Sequence, residues 1–402
     1  MLTATPDLAG LTRASDNKIL LFVMDGVGGL PHPSTGLTEL EAAQIPTLDR
    51  LATEGSLALC EVAMPGLTCG SGPGHLALFG YDPLEHDVQR GVLEALGVNF
   101  DLRPGDLCAR GNYCTVAESG DVADRRAGPL STERNREVSA LLVDQVSLPG
   151  HEFHVLPGKE HRFALVLRGP GLSGPLAETD PQRTGEPPHP IRALAPQAEG
   201  AAAVLTSFLD QARAVLAGEP DANFLLLRGL GNSPDLPAFP ERYGVRALAV
   251  ATYPMYRGIT RLLGFDVPET GPGLDEQVQT VRENLADHDF VYFHVKETDS
   301  AGHAGDYDRK VRAHETADAA LRELAPLFHT VVVSGDHCTP TGLLEHSWHP
   351  VPSLIHGPTV MPDLATAYSE RACMQGGLGR PRTKDLLPLA LAHALRLSKF
   401  GA

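Results

Sequence analysis

Between Asp289 and Pro352 the chain gathers carboxylates and imidazoles at spacings that suit a divalent cation. Asp299 and His303 are four residues apart, Asp336 and His337 are adjacent, and His346 and His349 follow. Oxygen and nitrogen donors without a thiolate fit Mn, Zn or Mg rather than a soft-metal or iron–sulfur centre. Two more groups of interest lie far upstream. Asp25 closes an apolar run and precedes Gly26, while Ser71 is framed by Gly70, Gly72 and Gly74 just ahead of Leu76–Phe79. That framing predicts Ser71 at or near a helix start, where backbone N–H groups favour an anion. No Gly-Lys-Ser/Thr follows, so the stretch is not a Walker A loop.

Short apolar runs must position these groups. Lys18–Met24, Phe290–Val295 and Thr330–Ser334 have strand length, and they end at Asp25, at Lys296 with Asp299 soon after, and at Asp336-His337. Continuous apolar runs predict strands buried on both faces, as in a parallel sheet, whose ligands gather at one edge. Asp299, His303 and a later His would make one cation site. Asp25, Asp336, His337 and the Ser71 oxygen would make a second. Two neighbouring cations lower the pKa of a hydroxyl and clamp a phosphoryl group, and a serine so placed is a competent nucleophile.

The remaining pattern predicts a helix over 45–55, a strand over 57–64 and a closing helix over 383–397. The segment 107–229 reads as β-α-β-β-α-β, the order of a ferredoxin-like unit. It would be inserted into a core made of 1–106 and 230–402. Within it, Asp124-Arg-Arg-Ala-Gly128 predicts a turn carrying two cations.

The chain has 402 residues and a net charge of −17, which argues against nucleic-acid or anionic-membrane partners. Six cysteines form no CxxC pair, and neither a signal peptide nor an apolar run long enough to span a membrane is present. A cytoplasmic protein is the expectation, with Thr3–Asp16 as a loose polar start.

Several stretches together resemble the alkaline phosphatase superfamily and, within it, the archaeal-type cofactor-independent phosphoglycerate mutases. They are Val23-Met-Asp-Gly26, Gly66–Pro83, Arg110–Thr115, Asp124–Gly128, Val295–Asp306, Ser334–Pro340 and Glu345-His-Ser347 followed by Pro350-Val-Pro352. The resemblance implies an α/β core with a mostly parallel sheet flanked by helices, and an inserted α+β lid. It implies Ser71 as phospho-accepting nucleophile and Lys296 near the transferring phosphoryl group. One cation would lie on Asp25, Ser71, Asp336 and His337, and another on Asp299, His303 and His346, with Mn expected ahead of Zn or Mg. Arg110, Arg125, Arg126 and Arg228 would bind a small phosphorylated substrate, and no bisphosphoglycerate cofactor would be needed. The chain departs from the family pattern at Gly29-Leu30-Pro31, where many relatives have Asp-Arg-Pro, at Gly72, often Asp, and at His349, usually Asn or Asp. A phosphatase, phosphodiesterase, related mutase for another phosphorylated small molecule or small-alcohol kinase on the same core, or a silent ligand-binding relative, are the competing readings.

Overall fold

The computed structural model describes residues 8–86, 88–128 and 130–401. The chain divides into two compact units, Met1–Asp87 with Pro237–Ala402, and Val88–Leu236. Its strands, in chain order, are β1 (Ile19–Met24), β2 (Ser56–Cys60), β3 (Leu107–Val116), β4 (Val122–Asp124), β5 (Glu152–Pro157), β6 (Arg162–Arg168), β7 (Phe224–Asn232), β8 (Ala247–Val250), β9 (Phe290–Val295), β10 (Thr330–Ser334) and β11 (Val351–His356).

In the first unit the sheet order is β2-β11-β10-β1-β9-β8. From β10 to β8 every pairing is parallel, and β11 runs antiparallel to β10 and β2. All residues of β1, β9 and β10 are buried, as their unbroken apolar runs require. Register decides where the chemistry lands. Val23 lies opposite Ser334 and Met24 opposite Val295, so the three strands end level. Asp25, Lys296 and Asp336 therefore leave one edge of the sheet together. Helix Tyr307–Leu324 packs on the layer through Ala317, Ala320, Leu321 and Leu324, spaced to form one apolar face. In the core, Phe22 stacks on Phe293 with ring centroids 5.2 Å apart. Truncating a buried Phe of this kind to Ala costs about 3–5 kcal/mol.

Some expected bounds shift. The strand expected over 57–64 ends at Cys60. The closing helix is shorter than 383–397: a single tight turn, Thr383–Asp385, leads into Leu386–His393, and Leu395 has a φ of 56° that ends the helical path. Of the polar start Thr3–Asp16, residues 3–7 lie outside the described residues. The rest is not loose, because the Arg13 N–H donates to Arg396 O at 2.9 Å and Thr12 pairs with Leu397. Among the described residues no helix is long and apolar enough to cross a membrane.

The second unit holds an antiparallel sheet in the order β7-β3-β6-β5, with β4 paired to the end of β3. Helices Thr132–Gln145 and Glu199–Leu216 cover it with Val138, Leu142, Leu205, Phe208 and Leu216. This is the ferredoxin-like order. The unit is wider than 107–229 because helix Arg90–Gly97 also belongs to it, burying Val92, Leu93, Ala95 and Leu96. Gly91 permits that packing, since a Cβ there would run into the Ala109 backbone.

Candidate active site

Asp25, the first residue after β1, is wholly buried. Its Oδ2 accepts from Tyr256 Oη at 2.6 Å and from Lys296 Nζ at 2.9 Å, and lies 3.2 Å from His294 Nε2. Its Oδ1 has no hydrogen-bond partner. Asp336, two residues beyond β10, is equally buried: Oδ1 accepts from the Gly26 N–H at 3.2 Å, and Oδ2 is unpartnered. Gly26 has a φ of 63°, and a Cβ there would run into Thr339, so the turns after β1 and β10 touch.

The imidazoles are oriented by their neighbours. Thr339 Oγ1 donates to Asp299 Oδ1 at 2.6 Å, so it accepts from His337 Nδ1, 3.1 Å away. This network assigns the His337 proton to Nδ1 and leaves Nε2 bare. That Nε2 lies 3.2 Å from Ser71 Oγ, 3.1 Å from Asp336 Oδ2 and 3.6 Å from Asp25 Oδ1. His346 Nδ1 faces Cys69 O at 3.1 Å and His303 Nδ1 faces Leu344 O at 3.0 Å, which leaves their Nε2 atoms free in the same way. The His337 and His346 rings stack with centroids 3.5 Å apart.

Two tight ligand groups result, Asp25–Asp336–His337 and Asp299–His337–His346, each with ligand atoms within 4.8 Å of one another. His337 belongs to both. His303 stands outside both groups on the open side, its Nε2 3.5 Å from Asp299 Oδ1. His349 turns away to Ser347 Oγ at 3.0 Å and stacks on Trp348.

Bare carboxylate oxygens facing a bare imidazole nitrogen in a dry site are costly unless a cation or proton lies among them. The donor set fits divalent cations: carboxylate oxygens, imidazole Nε2 atoms oriented through Nδ1, and one serine oxygen. Burial alone would lower the His337 pKa, but Asp336 beside it raises it; a proton on Nε2 is the alternative cation. Burial would raise Asp336, yet His337 and His75 hold it well below the usual carboxylate range. Burial would also lower Lys296, whose pKa is instead raised by Asp25 and Asp299. Its Nζ lies 2.9 and 2.6 Å from their Oδ2 atoms.

Ser71 opens helix Ser71–Leu78, and its hydroxyl faces His337. Behind it His75, pushed down to about 4 by burial, is 2.8 Å from Ser71 O through Nδ1 and from Tyr292 Oη through Nε2. A Cβ on Gly74 would run into Asp336, so glycine there lets this helix approach the ligand turn. Thr339, Tyr256, His294 and His75 are residues that sequence reasoning missed. Only Thr339 carried a usable signal, a hydroxyl two residues past a ligand histidine.

In the second unit, Arg110 on β3 and Arg228 on β7 are cross-strand partners. Arg90, Arg162 and Arg228 all depress the Arg110 guanidinium electrostatically, after burial itself. The only acidic group within ion-pair range of Arg110, among the described residues, is Glu94 at 3.9 Å. Arg126 lies close enough to depress His161 together with Arg162 and Arg110. Arg125 is bound by both oxygens of Asp180 at 3.0 and 2.7 Å, and Arg228 lies 3.7 Å from Asp180 and 3.9 Å from Glu178. Arg162 and Arg90 join the cationic group although the sequence did not single them out.

A family model described as 2,3-bisphosphoglycerate-independent phosphoglycerate mutase matches residues 52–221. A Thermus thermophilus protein named as a probable 2,3-bisphosphoglycerate-independent phosphoglycerate mutase is 46% identical over 99% of both chains. A Thermotoga neapolitana protein of the same name is 42% identical over 100% of both. Among solved structures, the cofactor-independent phosphoglycerate mutase from Thermoplasma acidophilum superposes with a TM-score of 0.76 at 30% identity, covering 94% of this chain and 100% of that one. With sequence, length and fold in agreement, the chain belongs to the 2,3-bisphosphoglycerate-independent phosphoglycerate mutase family.

Proposed function

We propose that the protein interconverts 3-phosphoglycerate and 2-phosphoglycerate without a bisphosphoglycerate cofactor, through a phosphoserine on Ser71. The observation that carries this reading is the convergence of bare, buried ligand atoms of Asp25, Asp336 and His337 on a serine hydroxyl at a helix N-terminus. Two divalent cations, Mn ahead of Zn or Mg, would be held by Asp25, Ser71, Asp336 and His337, and by Asp299, His303 and His346. When bound, they ease ionisation of a hydroxyl and neutralise phosphoryl oxygens.

Ser71 Oγ gives up its proton and attacks phosphorus, forming the serine–phosphorus ester bond as the bond to the substrate's oxygen breaks. The freed glycerate alkoxide takes up that proton, and Lys296, whose ammonium lies between Asp25 and Asp299, steadies the phosphoryl charge. Glycerate then turns, its other hydroxyl loses a proton and attacks the phosphoserine, and Ser71 is regenerated. Water must be kept out during that turn, or phosphoserine is hydrolysed. The substrate-binding role expected of the inserted segment belongs to the same proposal. Arg110, Arg126 and Arg228, with Arg162 and Arg90 beside them, offer cations for the carboxylate and phosphate of the substrate. Arg125 contributes by holding Asp180.

The test is isomerisation of 3-phosphoglycerate by purified protein with and without Mn and with no bisphosphoglycerate added. Mn-dependent formation of 2-phosphoglycerate supports the reading. Phosphate release as fast as isomerisation, or no conversion at all, overturns it.

A further inference from the structure

The turn that carries Asp25 and the turn that carries Asp336 and His337 come from different strands, and in the absence of a cation their carboxylates repel. Something must hold the two turns at ligand spacing against that repulsion. Lys310, on helix Tyr307–Leu324, is wholly buried and reaches both. Its Nζ donates to Gly26 O at 2.8 Å, to Gly28 O at 3.0 Å and to Thr339 O at 2.8 Å. An ammonium has three donors, and all three go to main-chain carbonyls rather than to a carboxylate. Gly26 follows Asp25 directly, and Thr339 lies two residues past His337. Thr339 is also the residue whose hydroxyl sets the His337 tautomer, and its N–H donates to Gly26 O at 3.2 Å.

We infer that Lys310 is a positioning residue of the cation site: its buried ammonium pins the Asp25 turn to the His337 turn and thereby sets the distance between their ligand atoms. The inference rests on reading Asp25, Asp336 and His337 as cation ligands. The pin is rigid because the same helix is fixed in the core by Ala317, Ala320, Leu321 and Leu324. Buried lysines usually pair with a carboxylate. Here Glu39, Glu370 and Asp299 are close enough to act on the charge, yet among the described residues none lies within ion-pair distance. The geometry of the three hydrogen bonds is therefore spent on the backbone of the two turns.

The test is Lys310→Met, which keeps the apolar stem and removes the donors. Mn binding to metal-free wild type and variant is measured by the electron paramagnetic resonance signal of free Mn and by calorimetric titration. The expected result is about 10- to 100-fold weaker binding by a folded variant. At saturating Mn, KM for 3-phosphoglycerate stays within about twofold of wild type and excess Mn restores turnover. A role confined to packing would lower Tm and leave the Mn affinity of folded protein unchanged. Wild-type affinity in folded Lys310→Met overturns the inference. If that variant does not fold, Lys310→Gln, which keeps two N–H donors, takes its place: weakened Mn binding supports the inference, and wild-type affinity or failure to fold overturns it. A wild type that binds no Mn would instead overturn the cation reading itself, so the two failures are distinct.

Discussion

Asp25 in the first unit and Asp180 in the second are both carboxylates with fully buried side chains, and they are treated in opposite ways. Asp180 is saturated: Arg125 binds both oxygens and the Gln182 N–H adds a third bond at 2.8 Å. Asp25 receives Tyr256 and Lys296 on one oxygen while the other has none. A buried ion pair with every lone pair met is part of the fold; a buried carboxylate kept half unmet, beside another and beside a bare imidazole, is a site prepared for a cation. The arginines divide along the same line. Arg125 and Arg228 both lie against Asp180, at 2.7 and 3.7 Å, whereas Arg110 has only Glu94 at 3.9 Å and Arg126 makes no ion pair among the described residues.

Breaking this contrast should give graded effects. Ser71→Ala is expected to lower kcat on the order of 10⁴-fold or more without lowering Tm, since the hydroxyl faces His337 in the site. Activity near wild type in a steady-state assay would remove Ser71 from the chemistry. Asp25→Asn should weaken Mn binding at least about 100-fold and abolish turnover at low Mn, and chelation of the wild type should do the same reversibly; calorimetric titration and add-back of Mn check both. Thr339→Val removes only the hydroxyl that fixes His337, so a loss of about 10- to 100-fold in Mn affinity is expected, with the fold intact. Arg110→Ala should raise KM for 3-phosphoglycerate about 10-fold, the worth of one charged hydrogen bond, and leave Mn binding unchanged. Arg125→Ala is the control on the other side of the contrast. It leaves the buried Asp180 with Arg228 at 3.7 Å as its remaining cation and should cost about 1–3 kcal/mol of stability by thermal unfolding, with the smallest change in turnover.

Much of the site was legible in the sequence. Asp25, Asp299, Asp336 and His337 stand at the ends of apolar runs, and parallel pairing with level register forces such ends together whatever their separation in the chain. Ser71 was readable as a helix start from its glycines. The residues that tune the site were not legible, because they act by contact rather than by pattern. Lys310 sits among Arg and Glu on a helix that looks like an ordinary solvated surface, and Tyr256 sits where an apolar face predicts core packing. The boundary of the second unit was misplaced for a related reason. Helix Arg90–Gly97 is amphipathic, and nothing in its own sequence says which unit its apolar face covers.

The central claim is that Ser71 carries the phosphoryl group between the two hydroxyls of one glycerate. Rapid-quench of Mn-loaded protein with phosphorus-labelled 3-phosphoglycerate, followed by peptide mapping, addresses it directly. The account predicts transient label on Ser71 within a turnover, passing on to 2-phosphoglycerate. Isomerisation with no label on Ser71, or label passing from it to inorganic phosphate at the turnover rate, would contradict it.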